Sequence, residues 1–128
     1  MLARMRFAYL TMSLLSAAPA MAQTAPAGNA ATGKLVFLQC QACHAVQQGA
    51  AALVGPDLAG VYGRKAASLP GYDYSAALKA SGITWTSDTL NSWLTNPSAM
   101  VPGTKMAFAG LPNPALRADV IAYLGTLK

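Results

Sequence analysis

Cys40-Gln41-Ala42-Cys43-His44 gathers both cysteines and the single histidine of this 128-residue chain into five positions. No other feature narrows the possible folds so far. C-x-x-C-H is the attachment signal for a c-type haem. Two thiols at this spacing near a helix end can add to the two vinyl groups on one porphyrin edge, and the histidine that follows presents a nitrogen to the iron. Three other uses of the pentapeptide compete. A disulfide is possible in an exported chain, but a bridge closing so short a loop stabilises little. A thioredoxin-like dithiol wants a preceding strand, whereas Gly33 to Gln39 reads as helix. A zinc site needs a fourth ligand, and no further Cys or His exists. Haem attachment is the use that fits.

The beginning of the chain reads as an export address. Arg4 and Arg6 form a positive start, Phe7 to Ala18 carries no charge, Pro19 breaks the run, and Ala20-Met21-Ala22 has the small residues that signal peptidase reads. The apolar run is about 12 residues, against roughly 20 for a bilayer span. Residues 1–22 are therefore expected to be a cleaved secretory signal rather than an anchor. A mean hydropathy of +0.34 with 54% hydrophobic residues would otherwise suggest a membrane protein, and part of that excess lies in this segment. Cleavage removes two arginines and lowers the formal charge from +5 to +3. No basic block is present, so nucleic acid is not an expected partner. Residues 23–31, rich in Ala, Pro and Gly, read as a flexible lead-in to a domain over 32–128.

Haem iron can be five- or six-coordinate; with no second histidine the choices for a sixth ligand narrow, and His/Met ligation suits electron transfer. Beyond the signal only Met100 and Met106 remain. Met106 lies in the irregular run Pro102-Gly103-Thr104-Lys105-Met106-Ala107-Phe108, which could fold across the far side of a haem. Met100 follows Asn96-Pro97 and fits a short helix, where core filling is the ordinary role. The pattern by itself is only suggestive for Met106.

The rest reads as helices. One is expected over about 31–41, delivering the cysteines, followed by a Gly/Ala-rich loop over 45–69 with turns at Gly55-Pro56 and Gly60–Gly63. Tyr74 to Lys79 suggests one or two helical turns. Thr86 or Ser87 would cap a helix through Leu90, Trp93 and Leu94 that stops before Pro97. Asn113 and Pro114 mark the start of the last helix, in which Leu116, Val120, Tyr123, Leu124 and Leu127 form one apolar stripe. No run alternates as a strand would. The expected class is all-α, four to five short helices around an apolar plate that compensates for a small core.

From Gly33 to Leu124 the chain resembles the class I cytochromes c, of mitochondrial type and their soluble bacterial relatives. The motifs that carry the resemblance are Cys40–His44, Val54-Gly55-Pro56-Asp57-Leu58, Gly63-Arg64-Lys65, Gly82-Ile83-Thr84-Trp85, Asn96-Pro97, Pro102–Gly110 and Asp119–Leu124. The resemblance implies the cytochrome c fold, with crossing terminal helices and one haem c bound through Cys40 and Cys43. It makes His44 and Met106 the axial ligands of the iron, and the Pro56 carbonyl the acceptor for the other His44 nitrogen. Arg64, Tyr74, Ser75 and Trp85 match positions that hold a buried propionate, while Trp93, Thr104 and Phe108 complete the cofactor-contacting set. Gly33 and Phe37 are expected against Val120 and Tyr123.

The implied activity is non-enzymatic: a soluble, monomeric periplasmic carrier shuttling one electron, without a permanent membrane anchor. A membrane cytochrome complex or periplasmic dehydrogenase would be the donor. A terminal oxidase, peroxidase or reaction centre would be the acceptor. A haem subunit of a larger oxidoreductase is the alternative, ahead of a haem enzyme or gas sensor with an open distal site. The chain departs from the family pattern in several places. Trp93 stands where a tyrosine is usual and Leu78 where a polar Asn is usual. Gln39, Ser98, Ala99 and Pro112 replace front-face lysines, of which Lys105 remains, so charge steering is expected to be weaker.

Overall fold

Residues 27–128 are described by the computed structural model; the expected signal over 1–22 and residues 23–26 of the lead-in lie outside the described residues. Helix α1, Ala30–Val36, begins after Asn29, whose side-chain oxygen accepts the Thr32 N–H at 3.0 Å. The Asn29 N–H in turn donates to Asp119 Oδ1 at 2.8 Å, 90 positions along the chain. That pair of contacts starts the helix ahead of the expected residue and ties Gly28 to Ala31 into the packed domain rather than the lead-in. The α-helix also ends sooner than expected. Phe37–Gln39 tightens into a 3₁₀ turn, a common way to finish a helix, and Cys40–Cys43 continue as turns.

A long loop follows. Among the described residues the sole β pairing is an isolated bridge between Lys65 and Thr84, in keeping with the all-α expectation. Around that bridge Trp85 N–H donates to the Arg64 carbonyl at 2.9 Å and Ala66 N–H to that of Ile83 at 2.8 Å. These bonds hold Arg64 and Trp85 side by side.

Helix α2, Ala76–Ala80, is capped by Ser75, whose hydroxyl oxygen accepts the Leu78 N–H at 3.1 Å. Helix α3, Ser87–Thr95, starts in a capping box of Thr86 and Thr89, threonine standing in for the usual Glu or Gln. Asn96 caps the short α4, Pro97–Met100, and Asn113 caps α5, Pro114–Leu124. In both, Pro occupies the first turn, where its missing N–H costs nothing.

Helices α1 and α5 cross. The α-carbon of Gly33 lies against the Asp119 carbonyl, so any side chain there would collide with backbone. Phe37 packs on Tyr123 with ring centroids 5.2 Å apart, and Phe37 and Val120 are only 1% exposed. The single stripe expected on α5 is replaced by five consecutive buried residues, Val120–Leu124. The helix is covered from more than one side, by α1 and α3, and Val120 and Leu124 also face a central cavity. Leu127 falls beyond the helix end.

Candidate functional site

The turn after α1 brings Cys40, Cys43 and His44 to the wall of that cavity. Both thiols are free, so they do not form the disulfide that the spacing also allowed. Burial, and then the neighbouring Cys43, push the Cys40 thiol above its ordinary value. Nδ1 of His44 donates to the Pro56 carbonyl at 2.7 Å. The hydrogen bond fixes the tautomer and leaves Nε2 as the lone-pair nitrogen, the arrangement a metal-binding imidazole needs. Burial lowers the His44 pKa, partly offset by the Pro56 contact, which favours the neutral ring that can act as a ligand.

Gly55 supports the same ring. Its N–H donates to the Cys43 carbonyl at 2.8 Å, and its bare α-carbon faces His44 so closely that a side chain would meet three of the ring atoms. In the sequence Gly55 reads as a turn residue and as part of the Val54–Leu58 motif, with no contact to the histidine implied. Its position immediately before Pro56 was the available signal, since the carbonyl that orients His44 is the next one along.

Across the cavity lies the loop that follows α4. Met106 lines it together with Thr104 and Phe108, and the Met106 N–H donates to Thr104 Oγ1 at 3.4 Å. Met100 does not reach the cavity; it borders a shallow hollow with Ala77, Ile83 and Val101. The remaining expected residues, Pro56, Arg64, Tyr74, Ser75, Trp85 and Trp93, line the same central cavity.

The polar end of the cavity is organised by Arg64. Its Nη1 donates to the Ala59 carbonyl at 2.9 Å and its Nη2 to that of Asp57 at 3.1 Å, so backbone holds the guanidinium in place. Burial pushes the Tyr74 hydroxyl up, with a hydrogen bond from the Leu69 backbone and the Arg64 charge pulling the other way. A cation beside buried hydroxyls suits an anionic group that must leave water. Elsewhere the wall is apolar, including Leu78, Leu90 and Leu94, and Trp85 meets Trp93 edge to face at 5.3 Å.

The cavity holds about 260 Å³ and is partly open on one side. Close-packed interiors leave few voids larger than a water molecule. Among the described residues no three His, Cys, Asp or Glu side chains gather to hold a bare metal ion. A single imidazole and a thioether loop instead suit iron already chelated in a flat apolar ring. Haem c fits on the apolar lining with one polar end and on the two free thiols.

Comparison with known proteins points the same way. The cytochrome c family model matches residues 30–128. The cytochrome c2 of Rhodomicrobium vannielii is 54% identical over 100 residues, covering 78% of this chain and 80% of that protein. That of Rhodoblastus acidophilus is 49% identical over 102 residues, covering 80% and 95%. Among solved structures, cytochrome cH from Methylobacterium extorquens matches with a TM-score of 0.72 at 47% identity, covering 77% of this chain and 99% of that one.

Proposed function

The chain belongs to the cytochrome c family, electron-transfer proteins rather than enzymes, with haem c bound through Cys40 and Cys43, and on that premise we propose that it is a periplasmic carrier with His44 and Met106 as axial ligands. The observation that carries the ligand assignment is the convergence on one cavity of His44, from the turn after α1, and Met106, from the loop after α4. Haem c supplies a reversible one-electron couple between ferric and ferrous iron.

The side chains do the rest. Pro56 and Gly55 hold the imidazole from behind. The apolar wall excludes water from both ligands, so each keeps its place in either oxidation state and little has to rearrange when an electron arrives or leaves. Arg64, Tyr74, Ser75 and Trp85 take up the propionate charge at the polar end. Residues 1–22 direct export and are removed, and the mature protein works as a soluble monomer without a membrane anchor. Its donor is a membrane cytochrome complex or periplasmic dehydrogenase; its acceptor is a terminal oxidase, peroxidase or reaction centre. Lys105 is engaged by Asp73, which supports docking with little charge steering.

The test is optical. The haem-loaded ferric protein should show the near-infrared iron–sulfur charge-transfer band, and the ferrous form should bind carbon monoxide slowly. Met106→Ala should abolish the band and speed carbon monoxide binding, while Met100→Ala leaves both unchanged. A ferric protein without the band that binds carbon monoxide rapidly when reduced would rule out the carrier with His/Met ligation.

A further inference from the structure

Tyr72 lines the cavity, and it and the exposed Asp73 that follows it bond to two different loops. The Tyr72 hydroxyl donates to the Val54 carbonyl at 2.9 Å, bridging 18 positions. Val54 immediately precedes Gly55 and Pro56, which seat His44. From the next residue, Asp73, two acceptors face Lys105: Nζ donates to Oδ2 at 2.8 Å and to the backbone carbonyl at 3.0 Å, bridging 32 positions. Lys105 immediately precedes Met106. The segment that carries both residues is anchored in turn, because the Tyr72 ring packs edge to face on the buried Tyr74 at 4.7 Å.

We propose that Tyr72 and Asp73 form a two-sided clasp that positions both axial-ligand loops, Tyr72 on the His44 side and Asp73 on the Met106 side. The proposal rests on the reading of His44 and Met106 as the axial pair. Neither loop has a helical ladder at these positions, so each depends on outside contacts for a fixed conformation. Placing both anchors on neighbouring residues makes the loops answer to one short segment. Each anchor is individually weak. The Asp73 carboxylate and the Lys105 ammonium are largely exposed, and such pairs contribute little and fade with salt. The expected effect is therefore a change in how often the Met106 loop swings away, not a loss of the fold.

Imidazole binding to the ferric, haem-loaded protein reads that motion, because imidazole must displace the thioether. Asp73→Asn should raise imidazole affinity about two- to fivefold at low ionic strength, the range an exposed ion pair allows. The gain should vanish in about 1 M salt, and Asp73→Glu should restore most of the wild-type value. Tyr72→Phe should also raise the affinity. The double variant should differ from the product of the two single effects, as coupled residues do. Urea midpoints of the variants should differ from wild type only by the small amount an exposed ion pair or one hydrogen bond contributes, which separates positioning from a loss of the fold. Wild-type affinity in both single variants, strict additivity in the double variant, or an Asp73→Asn effect that survives high salt would each overturn the clasp. Met106→Ala is the reference: if it binds imidazole no more tightly than wild type, the ligand assignment fails and the clasp falls with it.

Discussion

The α-carbon of Gly55 stands against the ring of His44, so that a methyl group added there would lie 2.5 Å from Cε1 and 2.7 Å from Nδ1. One glycine thus sets how the imidazole can stand, working with the Pro56 carbonyl that accepts from Nδ1. Gly55→Ala should force the ring to tilt or the loop to move, at about 1–3 kcal/mol. Urea denaturation of the haem-loaded protein should show that loss, together with a shifted reduction potential. A variant with both values unchanged would remove the glycine's role.

Gly33→Ala acts at a different place. Its methyl group would meet the Asp119 carbonyl and, at 3.0 Å, the Tyr123 Cβ, and a backbone atom cannot rotate out of the way. The terminal helices would have to separate, at about 3 kcal/mol or somewhat more. The charge-transfer band of molecules that still fold should be unchanged, because His44 and Met106 both lie outside the two helices that separate. Denaturation and the optical spectrum, taken together, check both halves of this expectation.

Trp93 contributes packing through its edge contact with Trp85. Trp93→Phe removes ring volume from a buried site and weakens the pair, for about 1–2 kcal/mol of lost stability. Thermal melting of the haem-loaded variant against wild type gives the measurement. A melting point at or above that of wild type would contradict it.

Asp73 should have a signature in acid. The Lys105 hydrogen bond, and then the Lys105 charge, hold its carboxyl below the ordinary value of 3.8, with Lys79 adding less. A depressed folded-state pKa means the stabilisation is fully present above that ordinary value and is lost as pH falls through the lower folded one. The small difference in urea midpoint between wild type and Asp73→Asn should therefore be seen at neutral pH and close on acidification below the ordinary value. It should also close in about 1 M salt at neutral pH.

Chemistry-bearing residues and helix starts were the legible part of the sequence. Cys40, Cys43 and His44 announce themselves because few other chains need those side chains at that spacing, and Asn113-Pro114 marks a start by local hydrogen bonding alone. What escaped was tertiary. Asn29 caps α1 while its own N–H is held by Asp119, a partner no local pattern can name. The apolar side chains of α5 looked like one stripe because periodicity assumes one covered face, whereas α1, α3 and the cavity bury Val120–Leu124 between them. Gly55 and Tyr72 matter through what stands next to them in space, and a glycine or a tyrosine reads the same in any turn.

The bond between Asn29 and Asp119 also bears on how the chain reaches this shape. Bringing together ends 90 residues apart costs about 4 kcal/mol in loop entropy, and contacts between α1 and α5 repay that only once both helices have arrived. Neither half of the domain holds a finished core of its own. A chain cut before Pro114 should therefore yield no smaller working carrier, only a polypeptide that never crosses its folding barrier.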